Sequence, residues 1–147
     1  MEFKNMVQVG LVVSDIERAR ALWAKLLEVE EPPIVETECE WDFTHMKFRG
    51  EASKGRAKLT FFKLENVVLE IIQPIGGPST WQNFLGKHGE GIHHIAFVVE
   101  NVDESMRKLS ETGASEEQKG QFKGGGYVYL DSRKSLGAII ELLYYEK

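Results

Sequence analysis

Two carboxylates stand where an unpartnered charge is costly. Glu70 lies in VVLEII (Val67–Ile72) and Glu141 in AIIELL (Ala138–Leu143), both short aliphatic runs that read as strands. Alternation puts Glu70 on one face with Val68 and Ile72, and Glu141 with Ile139 and Leu143. The opposite faces, Leu69 with Ile71 and Ile140 with Leu142, are apolar too. Neither carboxylate has a solvated face to occupy. Burying one without a partner costs roughly several kcal/mol, or forces it to take up a proton. A divalent cation shared by both is the simplest remedy. Gln8 and His94 can join them. Each opens a strand, and each is followed two residues later, on the same face, by a very small residue, Gly10 or Ala96. Three oxygens and one imidazole nitrogen suit a hard or borderline divalent ion with positions left for water or substrate. Zn, Ni, Co, Mn and Mg all remain open.

What must position these four is an internal repeat. QVGLVVSDIERAR, from Gln8, aligns without a gap on HIAFVVENVDESM, from His94, at an offset of 86 (94 − 8). Val9, Leu11, Val12, Val13 and Ile16 fall on Ile95, Phe97, Val98, Val99 and Val102, all apolar. Each copy reads as a strand running into a helix. The helix starts are marked by Ser14-Asp15 with Glu17, and by Asn101 with Glu104. Ile16, Ala19, Trp23 and Leu26 make one face of the first helix; Val102, Met106 and Leu109 make that of the second, which Gly113 ends. Glu70 then falls on Glu141.

From Gln8 to Glu70 is 62 residues and from His94 to Glu141 is 47, so the first copy carries 15 more, placed in Glu36–Arg56. Further strands are expected near Trp41–Arg49, Ala57–Lys63 and Val67–Gln73 in the first half. In the second they are expected near Ser115–Gln118, Gly126–Leu130 and Ala138–Tyr145. The fold class is therefore α+β, two βαβββ modules forming a curled mixed sheet around a metal cleft. The first module spans 1–74 and the second 92–147. A linker, 75–91, holds a breaker at Gly76-Gly77-Pro78 and a short helix, Thr80–Leu85, capped by Ser79.

The remaining histidines have no place in this set. His93 falls on the other face of its strand from His94. His45 is in phase with Trp41 and Phe43, which leaves pocket lining and plain packing both open, and His88 sits in a glycine-flanked, solvated loop.

The 147 residues are 42% hydrophobic and 28% charged, which excludes disordered and low-complexity classes. A net charge of −5 with no basic run argues against a nucleic-acid partner. Cys39 is the sole cysteine, so there is no internal disulfide and no cysteine-rich zinc site. No apolar run reaches the ~18 residues that span a bilayer, and MEFKNMVQ lacks a signal peptide's apolar core. The expectation is a cytoplasmic protein without membrane contact.

The chain resembles the vicinal oxygen chelate superfamily of glyoxalase I, methylmalonyl-CoA epimerase, extradiol dioxygenases and bleomycin and fosfomycin resistance proteins, from about Val7 to Tyr145. VVLEIIQPIGGPSTWQNFLGKHGEGIHHIAFVVENV (Val67–Val102) is most similar to the epimerase branch: a strand ending in Pro, a short helix, then Gly-x-Gly-x-His-His-x-Ala. YLDSRKSLGAIIELL resembles that branch's final strands. By position, the superfamily's metal ligands fall on Gln8, Glu70, His94 and Glu141.

The resemblance implies a metal-dependent epimerase or isomerase that abstracts a proton next to a carbonyl. Glu141 is the first choice of base and Glu70 the second. The implied substrate is a small molecule such as a CoA thioester, and a homodimer is expected. Lys119, Lys123, Arg49, Lys54 and Arg56 are the cations available to flank the cleft, and Gly120–Leu130 reads either as a closing loop or as a plain turn. Two departures matter. Gln8 stands where the epimerases usually place His, and AKLTFFK carries no carboxylate where some members hold a second base. The Gln-Glu-His-Glu set instead resembles eukaryotic-type glyoxalase I, which makes a lactoylglutathione lyase the alternative. A non-catalytic binding protein on the same scaffold is another. Gln8 breaks the two-His pattern of the dioxygenases and fosfomycin transferases.

Overall fold

The computed structural model describes residues 2–147. Its centre is a pair of antiparallel strands, β1 (Met6–Val12) and β7 (Gly91–Val98), one from each repeat. On its outer side β1 pairs in parallel with β6 (Val68–Gly76), which pairs antiparallel with β5 (Arg56–Lys63), which carries the two-residue strand β2 (Val35–Glu36). The other half repeats this arrangement. β7 pairs in parallel with β10 (Ala138–Tyr145), then come β9 (Gly125–Ser132) and β8 (Ser115–Phe122), each antiparallel to its neighbour. The resulting mixed sheet curls, so that Leu59 of β5 and Tyr127 of β9 line one cavity.

Period-two alternation separates the two faces of this sheet. Outward residues of the first half, Leu69, Ile71 and Phe62, pack under α1 (Ile16–Leu27). Asp15 caps that helix by accepting from the Arg18 amide at 3.1 Å. Leu130, Ile140 and Leu142 pack likewise under α4 (Val102–Glu111), capped by Asn101. Inward residues Val12, Ile72, Tyr129 and Ile139 form a third cluster with Trp81 of α3 (Thr80–His88). Ser79 caps α3, accepting from the Gln82 amide at 3.0 Å. The short α5 (Arg133–Leu136) leads into β10.

Three expectations need correcting. Leu26 is 70% exposed, and Leu27 takes its place against the sheet. Eleven residues make just over three whole turns from Ile16, whereas ten stop about 80° short. The strand expected over Trp41–Arg49 is instead a helical turn, α2 (Trp41–Thr44), followed by the hairpin β3 (Lys47–Phe48) and β4 (Glu51–Ala52). Arg49 and Gly50, both at positive φ, make its two-residue turn. This inserted hairpin pairs with β8 of the other half, Lys47 opposite Lys119 and Phe48 opposite Gln118. The alternation of Trp41, Phe43 and His45 thus has no ladder beneath it. Trp41 and Phe43 lie on the helical turn, 39% and 49% exposed. Finally, of the two readings of Gly120–Leu130 the plain turn fits and the closing loop does not, since the segment is a β8–β9 hairpin that turns at Lys123-Gly124.

Candidate metal centre

Strand register explains how the four polar side chains meet. Gly10 of β1 lies opposite Glu70 of β6 on one side and opposite His94 of β7 on the other. Ala96 of β7 lies opposite Gln8 of β1 and opposite Glu141 of β10. Each small residue therefore sits between two large polar ones. The space beneath His94 is of this kind: a Cβ on Gly10 would lie 2.0 Å from His94 Cε1.

The structure brings all four residues together. His94 Nε2 is 3.0 Å from Gln8 Oε1, 3.2 Å from Glu141 Oε1 and 3.5 Å from Glu70 Oε1. All four residues are less than a tenth exposed. One ring nitrogen carries at most one proton and so satisfies at most one of three oxygens. Oε1 of Glu70 and Oε1 of Glu141 are buried without a hydrogen-bond partner. Burial first, and then the Glu141 charge, push the Glu70 carboxyl well above its ordinary value.

A cation answers each of these costs. Bonds of about 2.0–2.2 Å at tetrahedral or octahedral angles put neighbouring ligand atoms about 2.8–3.6 Å apart, and the spacings around His94 Nε2 fall in that range. The buried Glu70, His94 and Glu141 could hold a divalent metal, their ligand atoms lying within 4.8 Å of one another.

His93 was expected on the opposite face. A bulge in β7 changes that: Gly10 pairs with His94 but Leu11 pairs with Ile92, leaving His93 as the extra residue. Both imidazoles then point inward and pack edge-on against Tyr129, with centroids 5.2 and 5.0 Å away. His93 Nδ1 is 2.9 Å from His94 Nδ1, and its Nε2 is 3.0 Å from Thr80 Oγ1. Burial and the neighbouring His94 hold His93 well below its ordinary pKa, so it stays neutral. A neutral His93 accepting from His94 Nδ1–H leaves the Nε2 lone pair of His94 free for a cation. Thr80, at the start of α3, fixes the other end of this chain. Only the adjacent His-His pair hinted at this in sequence.

The cleft above is a cavity of about 420 Å³. Trp81 Nε1 donates to Tyr129 Oη at 3.2 Å, and Gln118 Nε2 donates to Tyr127 Oη at 3.0 Å. Burial pushes both tyrosines up, so they stand as neutral phenols. His45 caps α2 at positive φ, and its Nδ1 is 3.0 Å from Gln121 Oε1. His88 is exposed, and its ring Nε2 is 3.1 Å from Arg133 Nη1. None of the five cations available to flank the cleft lines the cavity. Arg49 pairs with Glu117 at 3.0 Å and Arg56 with Glu36 at 2.9 Å.

A pH dependence follows from Glu70. Its folded pKa is raised above an ordinary value near 4.5, so the unfolded chain releases this proton first. The stability it contributes is full below about 4.5 and is lost as pH rises through the raised value. His93, held low in the fold, adds a contribution that grows with pH only up to its ordinary 6.5. Above 6.5 His93 adds no further change, and any remaining fall comes from Glu70. The stability of chelator-treated protein, read from its melting temperature, should fall as pH rises through the raised Glu70 value, by up to about 1.4 kcal/mol per pH unit. Adding Zn should abolish the slope, since the ion displaces the proton. A flat metal-free profile would mean that Glu70 is ionised in the fold.

A cleft built where two βαβββ halves meet, with a buried Glu-His-Glu group on its floor, defines a class of metal-centre scaffold. The chain belongs to the Glyoxalase/Bleomycin resistance protein/Dioxygenase superfamily, whose family model matches residues 7–129. It is 25% identical over 137 residues to the uncharacterized protein YqjC of Bacillus subtilis, covering 91% of this chain and 87% of that one. It is 32% identical over 87 residues to an ethylmalonyl-CoA/methylmalonyl-CoA epimerase of Cereibacter sphaeroides, covering 56% of this chain and 65% of the relative. A solved methylmalonyl-CoA epimerase from Mycobacterium tuberculosis superposes with a TM-score of 0.64 at 20% identity, over 99% of this chain and 91% of that one. A methylmalonyl-CoA epimerase in complex with methylmalonyl-CoA and NH4+ gives 0.64 at 17% identity, over 98% and 96%. At these identities the structural likeness shows the fold. Enzymes of this superfamily typically use divalent metals. Among the described residues no helix is long and apolar enough to cross a membrane.

Proposed function

We propose that this chain is a metal-dependent enzyme of epimerase type, removing and returning a proton on a carbon next to a carbonyl, with a CoA thioester as its substrate. The reading rests on one observation above all. Two buried carboxylate oxygens without hydrogen-bond partners, from equivalent strands of two repeats, converge on His94 Nε2. The epimerase names of two relatives support it.

A divalent ion held by Gln8, Glu70, His94 and Glu141 would act as a Lewis acid toward the substrate oxygen that gains charge as the proton leaves. Zn, Ni, Co, Mn and Mg remain open for that position. Glu141 would take the proton from one face of the carbon, and inversion then needs a proton delivered to the other face, for which Glu70 stands at the equivalent place. Tyr127, Tyr129 and Trp81 line the cavity beside the buried base.

A lactoylglutathione lyase of the glyoxalase I type is the second reading. It is favoured by Gln8 and by β5, whose cavity-facing residues are Leu59 and Phe61 rather than a second carboxylate. Both readings begin with abstraction of a proton next to a carbonyl; the epimerase returns it to the same carbon and the lyase to the neighbouring one. The test is elemental analysis of the purified protein, then deuterium wash-in from D2O. Exchange at C2 of a 2-substituted malonyl-CoA, of which methylmalonyl-CoA is the smallest to try, lost with chelator and regained with metal, is the expected result. Turnover confined to the methylglyoxal–glutathione adduct would select the lyase. Ligand retention without any exchange, indifferent to chelator, would leave a binding protein.

A further inference from the structure

The charged groups that line the cavity are all acidic: Glu70 and Glu141 on the floor, Glu36 and Glu38 near the mouth. No Lys or Arg lines it among the described residues. Its walls are apolar and come from every side. Leu59 and Phe61 stand on β5, Leu143 on β10, and Phe122 on β8, while α2 of the inserted segment brings Phe43 over the top. With a doubly charged ion on the floor, Glu70 and Glu141 already balance it. A substrate bringing a second anion into this space would find no Lys or Arg lining it, since Arg56 beside the mouth is already held by Glu36 at 2.9 Å, and would meet the Glu38 carboxylate. Nothing there rewards a small substituent either. About 420 Å³ is within the range of cavities that enclose a whole small molecule, far more than a methyl group fills.

We infer that the compound this site takes carries an aryl or branched-alkyl group next to its metal-chelating oxygens, and no second anionic group at that end. Any charged tail lies outside the mouth. The inference rests on the metal-centre reading above and narrows its substrate class.

Hydroxamates test it, because they chelate divalent ions through two neighbouring oxygens and need no turnover. Zn-loaded protein would be titrated calorimetrically with acetohydroxamate, phenylacetohydroxamate and succinic monohydroxamate. Phenylacetohydroxamate should bind about 10- to 100-fold more tightly than acetohydroxamate, the gain of burying a ring, and the carboxylate compound should bind more weakly than either. Phe43→Asp alters a side chain 49% exposed, outside the core, and should cut the phenyl advantage by about threefold or more. Equal affinities for the three, or a phenyl advantage untouched by Phe43→Asp, would overturn the assignment while leaving metal-dependent chelation standing. A phenyl preference that survives removal of Zn would support the pocket and overturn the metal reading. Binding of none of the three would overturn both.

Discussion

Glu141→Gln should lower the rate of substrate proton exchange by about 10²- to 10⁴-fold, the usual contribution of a positioned base, equivalent to about 3–6 kcal/mol of barrier. The substitution is chosen for what it keeps. Gln fills the same volume, and its carbonyl oxygen offers a ligand atom of the kind Gln8 already presents 3.0 Å from His94. What it lacks is a basic oxygen. Metal content should stay near stoichiometric while exchange collapses, a split that a merely structural role could not produce.

The same substitution carries a second signature in metal-free protein. The Glu141 charge is one of the two influences that push Glu70 up, and removing it should stabilise the metal-free fold above pH 6.5 relative to the parent. Wild-type exchange in Glu141→Gln would transfer the role of base to Glu70, for which Glu70→Gln is the matching variant. Exchange surviving in both would remove the carboxylates from the chemistry.

Much of this site is legible before any coordinates because two separate regularities point to it. A strand's alternation reveals a carboxylate with no wet face, and the repeat reveals that it happens twice at equivalent places. Gln8 and His94 follow from the same repeat. The small residues beside them are legible as space, although their real neighbours are across the strands: Gly10 makes room for His94 and Glu70, and Ala96 for Gln8 and Glu141. Where sequence reasoning stops, the cause is a local break in periodicity. His93 is placed on the wrong face because a one-residue bulge reverses alternation, and nothing in GIHHIAF beyond the adjacent His-His pair points to it. The inserted segment defeats the strand expectation for a different reason. Trp41 and Phe43 are spaced like strand residues, but a strand also needs a partner, and residues 41–44 wind into a helical turn instead. The hairpin that follows finds its partner in β8, across the molecule. Long-range pairing of that kind leaves no trace in a local pattern.

Gly10→Ala should be among the most damaging single-methyl additions in this chain. Gly10 has no need of unusual backbone angles. It lies in the extended β1, so the substitution carries no penalty of conformation, and its whole effect is steric. The added Cβ would lie 2.0 Å from His94 Cε1, 2.5 Å from Nδ1 and 2.6 Å from Nε2. No rotation of a methyl relieves that overlap, so the imidazole must move. It has nowhere to go freely. His94 is 1% exposed, packed edge-on against Tyr129 and tied to His93. Overpacking of this kind costs about 1–3 kcal/mol, or about 4–12 °C in melting temperature for a chain of this size. The functional loss should be larger than the loss of fold. A displaced Nε2 no longer faces the three oxygens, and Zn affinity should fall by about 100-fold or more, since even indirect supports of a ligand are worth 10- to 100-fold.

Gly86→Ala is the matched control. Gly86 sits in α3 with no atom within 4 Å of the added Cβ, and alanine there should leave metal binding unchanged and raise stability by about 0.5–1 kcal/mol. Competition with a chromophoric chelator reads the affinity, and a thermal melt with and without Zn reads the fold. If Gly10→Ala melts lower yet binds Zn as tightly as the parent, His94 does not hold the ion and the metal centre proposed for these four strands is wrong.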